Sequence, residues 1–189
     1  WIGSLGDGLV RYDPASRRFT AQPLPVNGEP ERRVLALLAA RDGSVWAGHW
    51  QGLARRAAGS DAWQELPLPA RAGRSGVATL LEDEQGRVWF GTADGELGVV
   101  QDGQPRWLPL RLRGAVQSLA LAGDGMLWAG LSDGIAWIDP QRGTWVQQLR
   151  HRPQLASGLA GNDVSVLLRD QTGSVWVGGY GVGLQRHRH

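Results

Sequence analysis

The stretch Val77-Ala78-Thr79-Leu80-Leu81-Glu82-Asp83-Glu84-Gln85-Gly86-Arg87-Val88-Trp89-Phe90-Gly91 decides how this chain is read. An apolar run, Val77–Leu81, leads into a short polar turn closed by Gly86, and a second apolar run carries Trp89 two residues before Gly91. The same text returns at Val164-Ser165-Val166-Leu167-Leu168, turning at Gly173 into Val175-Trp176-Val177-Gly178. Two further copies turn at Gly43 into Trp46-Ala47-Gly48 and at Gly125 into Trp128-Ala129-Gly130. Trp1-Ile2-Gly3 is the tail of a fifth. The marker tryptophans Trp1, Trp46, Trp89, Trp128 and Trp176 are separated by 45, 43, 39 and 48 residues. A period of this length means a repeat architecture, in which each unit buries its faces only against its neighbours.

Each unit resolves into four short strands. Val34-Leu35-Ala36-Leu37-Leu38 alone could pass for a helix, but the sister copies, with Val, Thr and Ser, favour a strand covered on both faces. The turn glycines Gly43, Gly86, Gly125 and Gly173 stand where the chain needs a positive φ, which only glycine adopts cheaply. After the Trp strand and a second Gly-bearing turn come a third strand, such as Ile135-Ala136-Trp137-Ile138, and an outer strand marked by Phe19, Trp63, Trp107 or Trp145. Four-stranded units at about 40–50 residues are propeller blades. The expected fold is therefore all-β, a partial β-propeller with complete blades at 33–66, 76–109 and 115–149 and partial blades at 1–20 and 163–187. An open arc would expose its terminal blades and invite self-association through the open blade edges.

Composition bounds the function. The chain has 189 residues, 42% hydrophobic and 20% charged, with no apolar run near membrane-spanning length. It opens at Trp1 without an initiator Met or signal peptide, which we read as a piece of a longer polypeptide. All 20 basic residues are Arg, yet the net charge is only +2, so no nucleic-acid partner is expected. The absence of Cys removes disulfides, thiolate metal sites and Cys nucleophiles and fits an exported domain.

The pattern Val-x-x-Leu-Leu-x-Asp-x-x-Gly-x-Val-Trp-x-Gly-x-x-x-Gly-Leu, cleanest at Val77–Leu97 and Val164–Leu184, resembles the two-component regulator propeller repeat. Copies 34–56 and 116–138 depart from it, with Ala40 and Ala122 at the Asp position and Asp42 and Asp124 two places later. The resemblance implies a periplasmic sensor region of an inner-membrane receptor, reaching the membrane only through the rest of the parent chain. The output elsewhere in that chain would be a GGDEF (diguanylate cyclase) domain or a histidine kinase. A propeller lyase resembling streptogramin lyase and a purely structural dimerisation scaffold are the alternatives. No His and Glu set stands out from the repeat, so the chain itself is read as non-enzymatic, without catalytic residues, cofactor or metal.

Ligand contacts are sought where loops break the repeat, since loops on a rigid scaffold carry binding. His49-Trp50-Gln51 fills a turn that reads Thr92-Ala93-Asp94 or Leu131-Ser132-Asp133 in sister blades; Tyr180 holds the matching place in the last. The links between blades bring Arg32 and Arg33, Arg71 and Arg74, Arg111 and Arg113, and Arg150, His151 and Arg152. Against these the links offer only Glu29, Glu31 and Asp163. Arginine suits bidentate recognition of carboxylate or phosphate, so the expected ligand is an anionic small molecule or oligosaccharide. The link 149–163 is the longest and the leading candidate for a binding loop.

Overall fold

The computed structural model describes residues 1–70, 76–154, 158–181 and 183–187, and among them every regular element is a strand. A three-stranded sheet comes first, β1 (Ile2–Gly3), β2 (Leu9–Asp13) and β3 (Arg18–Gln22), followed by a hairpin of β4 (Pro25–Val26) and β5 (Glu29–Pro30). Three four-stranded sheets follow, each ordered along the chain. They are β6 (Val34–Ala39) to β9 (Trp63–Leu66) through β7 (Val45–His49) and β8 (Gly52–Arg56), then β10 (Val77–Glu82), β11 (Val88–Thr92), β12 (Glu96–Gln101) and β13 (Gln104–Arg111). The third holds β14 (Val116–Leu121), β15 (Leu127–Leu131), β16 (Gly134–Asp139) and β17 (Thr144–Leu149). The last sheet has three strands, β18 (Val166–Arg169), β19 (Val175–Gly179) and β20 (Gly183–His187). Antiparallel meanders of this size are the blades of a partial β-propeller. The ambiguous run at Val34 is strand β6.

The turn glycines show why the repeat needs them. Gly43, Gly86, Gly125 and Gly173 adopt φ of 79°, 78°, 82° and 83°, in the left-handed region. Ahead of them a carboxylate ties the turn to its tryptophan. Asp83, 1% exposed, accepts from the Gln85 and Arg87 amides at 3.0 Å, from Arg87 Nε at 2.6 Å and from Trp89 Nε1 at 2.8 Å. Asp170 does the same for the Thr172 and Ser174 amides and for Trp176 Nε1. The Thr172 hydroxyl, then the Trp176 indole, holds the Asp170 carboxyl down at about 2. Where Ala40 replaces that Asp, Asp42 accepts from the Ser44 amide at 2.8 Å and Trp46 Nε1 turns to Ser44 Oγ at 3.0 Å. The departure from the pattern is thus compensated two residues later by the same chemistry.

The chain divides into two compact units, Trp1–Phe90 with Val100–Arg106, and Gly91–Val99 with Trp107–His189. In the first, the core gathers Leu9, Leu24, Val34, Val45, Ala47, Ala54 and Trp63. In the second, Trp128, Ile135, Leu159, Val164, Leu167, Val175 and Val177 pack together. Blades meet through the Trp-x-Gly glycines. A Cβ on Gly3 would lie 2.6 Å from Val34 Cγ1, one on Gly48 2.5 Å from the Val77 carbonyl oxygen, and one on Gly130 2.7 Å from that of Val164. Each glycine therefore receives the first valine of the following repeat against bare backbone. In β6 and β14 that valine is followed by a register shift, between Val34 and Ala36 and between Val116 and Ser118. A bulge there bends the strand where it begins to cross its neighbour.

Candidate functional site

Within each unit the links between sheets meet the turns that join second and third strands. In the first unit the Trp50 amide donates to the Arg33 carbonyl at 3.1 Å. Glu31 organises this end: its buried carboxylate accepts from the amides of Arg32 and Arg33, from Arg33 Nε at 3.2 Å and from Gln51 Nε2 at 3.0 Å. These bonds, chiefly the Arg33 amide and the Gln51 side chain, hold the Glu31 carboxyl below the usual range against the opposing cost of its desolvation. The Arg33 guanidinium lies 5.1 Å from the centroid of the Trp50 ring, which is 44% exposed. Arg33 and Trp50 thus form one stacked surface, with Arg32 exposed beside it.

His49 corrects the sequence reading. It is the last residue of β7, 0% exposed, so it cannot reach a ligand at the surface. All five residues of β7 are buried, because the second strand lies between two partner strands and is covered on both faces. Its Nδ1 accepts from the Gln51 amide at 3.3 Å. Burial pushes the imidazole down, opposed by the fields of Glu31 and Glu65, and His49 is a turn-shaping residue.

The surplus of link arginines is also smaller than the links alone suggest. In the second unit Arg111 Nε donates to the Asp94 carbonyl at 3.2 Å with its guanidinium 3.8 Å from the Asp94 carboxylate, and Arg150 pairs with Asp133. Asp94 and Asp133 belong to the turns, not the links, which is why counting link residues missed them. Arg113 is exposed, and its carbonyl accepts from Gln148 Nε2 at 3.3 Å. Arg71 and Arg74 lie outside the described residues.

The described arms of the 149–163 link are joined to each other. The His151 amide donates to Asn162 Oδ1 at 2.7 Å and its ring Nδ1 contacts the Leu159 carbonyl. Gln185 of β20 clamps the return, donating to the Gly158 carbonyl at 3.2 Å and accepting from the Ala160 amide at 3.0 Å. Under the link lies a cavity of about 530 Å³ whose lining includes Arg150, His151, Arg152 and His187. His151 and Arg152 were singled out by the sequence; the structure adds His187, which repeat position alone did not mark. Tyr180 is 90% exposed at the turn of the last sheet. Among the described residues no cluster of three or more His, Asp or Glu side chains could hold a metal ion.

The four-stranded antiparallel meanders, with glycines that receive a valine of the following repeat within each unit, define the blades of a partial β-propeller. Two of its repeats match a family model: residues 74–94 and 158–181 are similar to the two component regulator propeller. No curated protein matches the chain. Two solved structures of the extracellular domain of BT4673 from B. thetaiotaomicron, described as a one-component and as a hybrid two-component system, superpose with TM-scores of 0.87. They are 27% and 26% identical and cover 100% of this chain but only 26% and 25% of their own. The chain thus spans about a quarter of the length of these proteins. The extracellular domain of the hybrid two-component system BT3049 from the same organism has a TM-score of 0.74 at 20% identity, over 98% of this chain and 24% of that one. Virginiamycin B lyase from Staphylococcus aureus reaches 0.69 at 18% identity, over 95% of this chain and 62% of that one. At that identity the likeness is one of fold and lends no support to the lyase alternative.

Proposed function

We propose that this chain forms part of the ligand-sensing extracytoplasmic region of a bacterial signal-transduction receptor. The observation that carries the reading is the match along 100% of the chain to an extracellular domain of a two-component system. In this reading the region lies in the periplasm, and a diguanylate cyclase or histidine kinase elsewhere in the parent polypeptide provides the output. An anionic ligand held at the ends of the blades shifts the balance between two receptor states, which requires only a difference in its affinity for them. The test uses the intact receptor, challenged with oligouronates and read through a transcriptional reporter. The double change Arg33→Ala with Trp50→Ala is expected to cut the response at least tenfold at unchanged receptor level. A full response would remove the first-unit surface from the reading, and a rise in cyclic di-GMP or in phosphotransfer would tell the two outputs apart.

The last sheet favours a second element of this reading. Val166, Leu168 and Leu184 are exposed, and with Trp176 and Gly178 they line an apolar groove of about 220 Å³. Gly3, Gly48 and Gly130 are each covered by a valine of the next repeat, whereas a Cβ on Gly178 would meet nothing among the described residues closer than 3.7 Å. A second copy of the chain occupies this face, so the chain self-associates through it. Light scattering across a concentration series is expected to show a dimer that Leu168→Asp abolishes. A strict monomer at every concentration would sink the idea.

A further inference from the structure

We propose that the cavity under the 149–163 link binds a small hydroxylated carboxylate, one or two sugar-acid rings in size. This deepens the sensor reading by naming a ligand class and a place for it. At about 530 Å³ the cavity falls within the roughly 300–1,000 Å³ usual for small-molecule sites.

Its charge is one-sided. Among the described residues two Arg and two His line it, and no Asp or Glu does. Of the four, Arg150 is already paired with Asp133, which makes it an anchor for the link. His187 is turned to the Trp128 ring, with centroids 5.8 Å apart. Arg152 differs: it is exposed and forms no ion pair among the described residues, leaving its guanidinium fork open to a carboxylate. His151 stands beside it with a fixed ring. The Leu159 carbonyl can only accept, so Nδ1 donates to it, and the tautomer with its proton on Nδ1 leaves Nε2 to accept from a hydroxyl. Gln148 spends its amide nitrogen on the Arg113 and Asp133 carbonyls, which leaves its Oε1 as a second acceptor of hydroxyl protons. Leu149 and Leu159 give the apolar surface that the C–H face of a ring needs.

The described arms of the link are tied to each other by the His151 amide and Asn162, and Gln185 holds the second arm at Gly158 and Ala160, which fixes the lining on both sides of the cavity.

Calorimetry on this chain, with digalacturonate, its methyl ester and inorganic phosphate as probes, tests the proposal. The acid is expected to bind at least tenfold more tightly than the ester, which keeps the shape and loses the charge. Arg152→Ala should weaken the acid at least tenfold and bring acid and ester together, with Arg152→Lys recovering part of the difference. Arg18→Ala, on exposed β3, should change nothing. Equal binding of acid and ester, undiminished binding to Arg152→Ala, or no binding of the acid would overturn the proposal. Phosphate binding as tightly as the acid would overturn the hydroxylated body of the ligand. Because the isolated chain is titrated, failure here leaves the receptor response, and with it the sensor reading, standing.

Discussion

Gly48→Ala is expected to destabilise the first unit by about 2–3 kcal/mol, although it adds one methyl group to a strand interior. The cause is the neighbouring sheet. The new Cβ would sit 2.5 Å from the Val77 carbonyl oxygen and 2.8 Å from Val77 Cγ1. A backbone oxygen cannot swing aside as a side-chain end can, so β7 and β10 must separate. The valine then loses the close packing that dispersion rewards. The chain supplies its own control. Gly178 occupies the same place in the last repeat, but its nearest neighbours would be Gly183 O at 3.7 Å and Leu184 Cδ1 at 3.9 Å. Gly178→Ala should therefore be neutral, or stabilising by a few tenths of a kcal/mol through the unfolded state. Urea midpoints of the two variants compare them, and hydrogen exchange should place the Gly48→Ala loss of protection in β6, β7 and β10. Equal midpoints would mean that the glycine serves the strand and not the contact between sheets.

That contrast also shows how far the sequence could be read. The Trp-x-Gly text, the apolar runs and the turn glycines recur in register, so the blade architecture is legible from spacing alone. What spacing cannot convey is which partner a polar residue finds. His49 breaks the repeat, and a break in a turn reads as exposed, yet strand pairing carries it into the buried end of β7. Asp94 and Asp133 look like turn residues, and only the folded chain brings them to Arg111 and Arg150 across the end of each sheet. Among the described residues the β4–β5 hairpin has no counterpart in the other repeats, so no periodicity could announce it, though its Glu29 sits two residues before the Glu31 that organises the first-unit surface. The 149–163 link was conspicuous by length. Its cavity needed Gln185 and His187 from a strand some 30 residues further on.

Asp83→Ala should cost the first unit about 3–5 kcal/mol, the range for removing one partner of a buried ion pair. The carboxylate is enclosed, and four donors converge on it: two turn amides, Arg87 Nε and the indole of fully buried Trp89. Alanine leaves all four without that acceptor, and the Arg87 side chain, only 12% exposed, has little water to turn to. Asp42→Ala makes the contrast. Its carboxylate is 55% exposed, and Ser44 already satisfies the Trp46 indole, so the loss should be about 1 kcal/mol or less. Similar unfolding midpoints for the two variants would show that the turn carboxylate does not hold its tryptophan. Acid offers an independent reading of the same motif at Asp170, whose carboxyl is held at about 2 against an ordinary 3.8. A depressed value means the folded state favours the ionised form, so its contribution is full above about pH 4 and lost as pH falls towards 2. Asp170→Asn should therefore flatten the acid limb of the stability profile between those limits and leave its slope near neutrality unchanged. An acid limb of unaltered slope would place the proton-linked stability elsewhere.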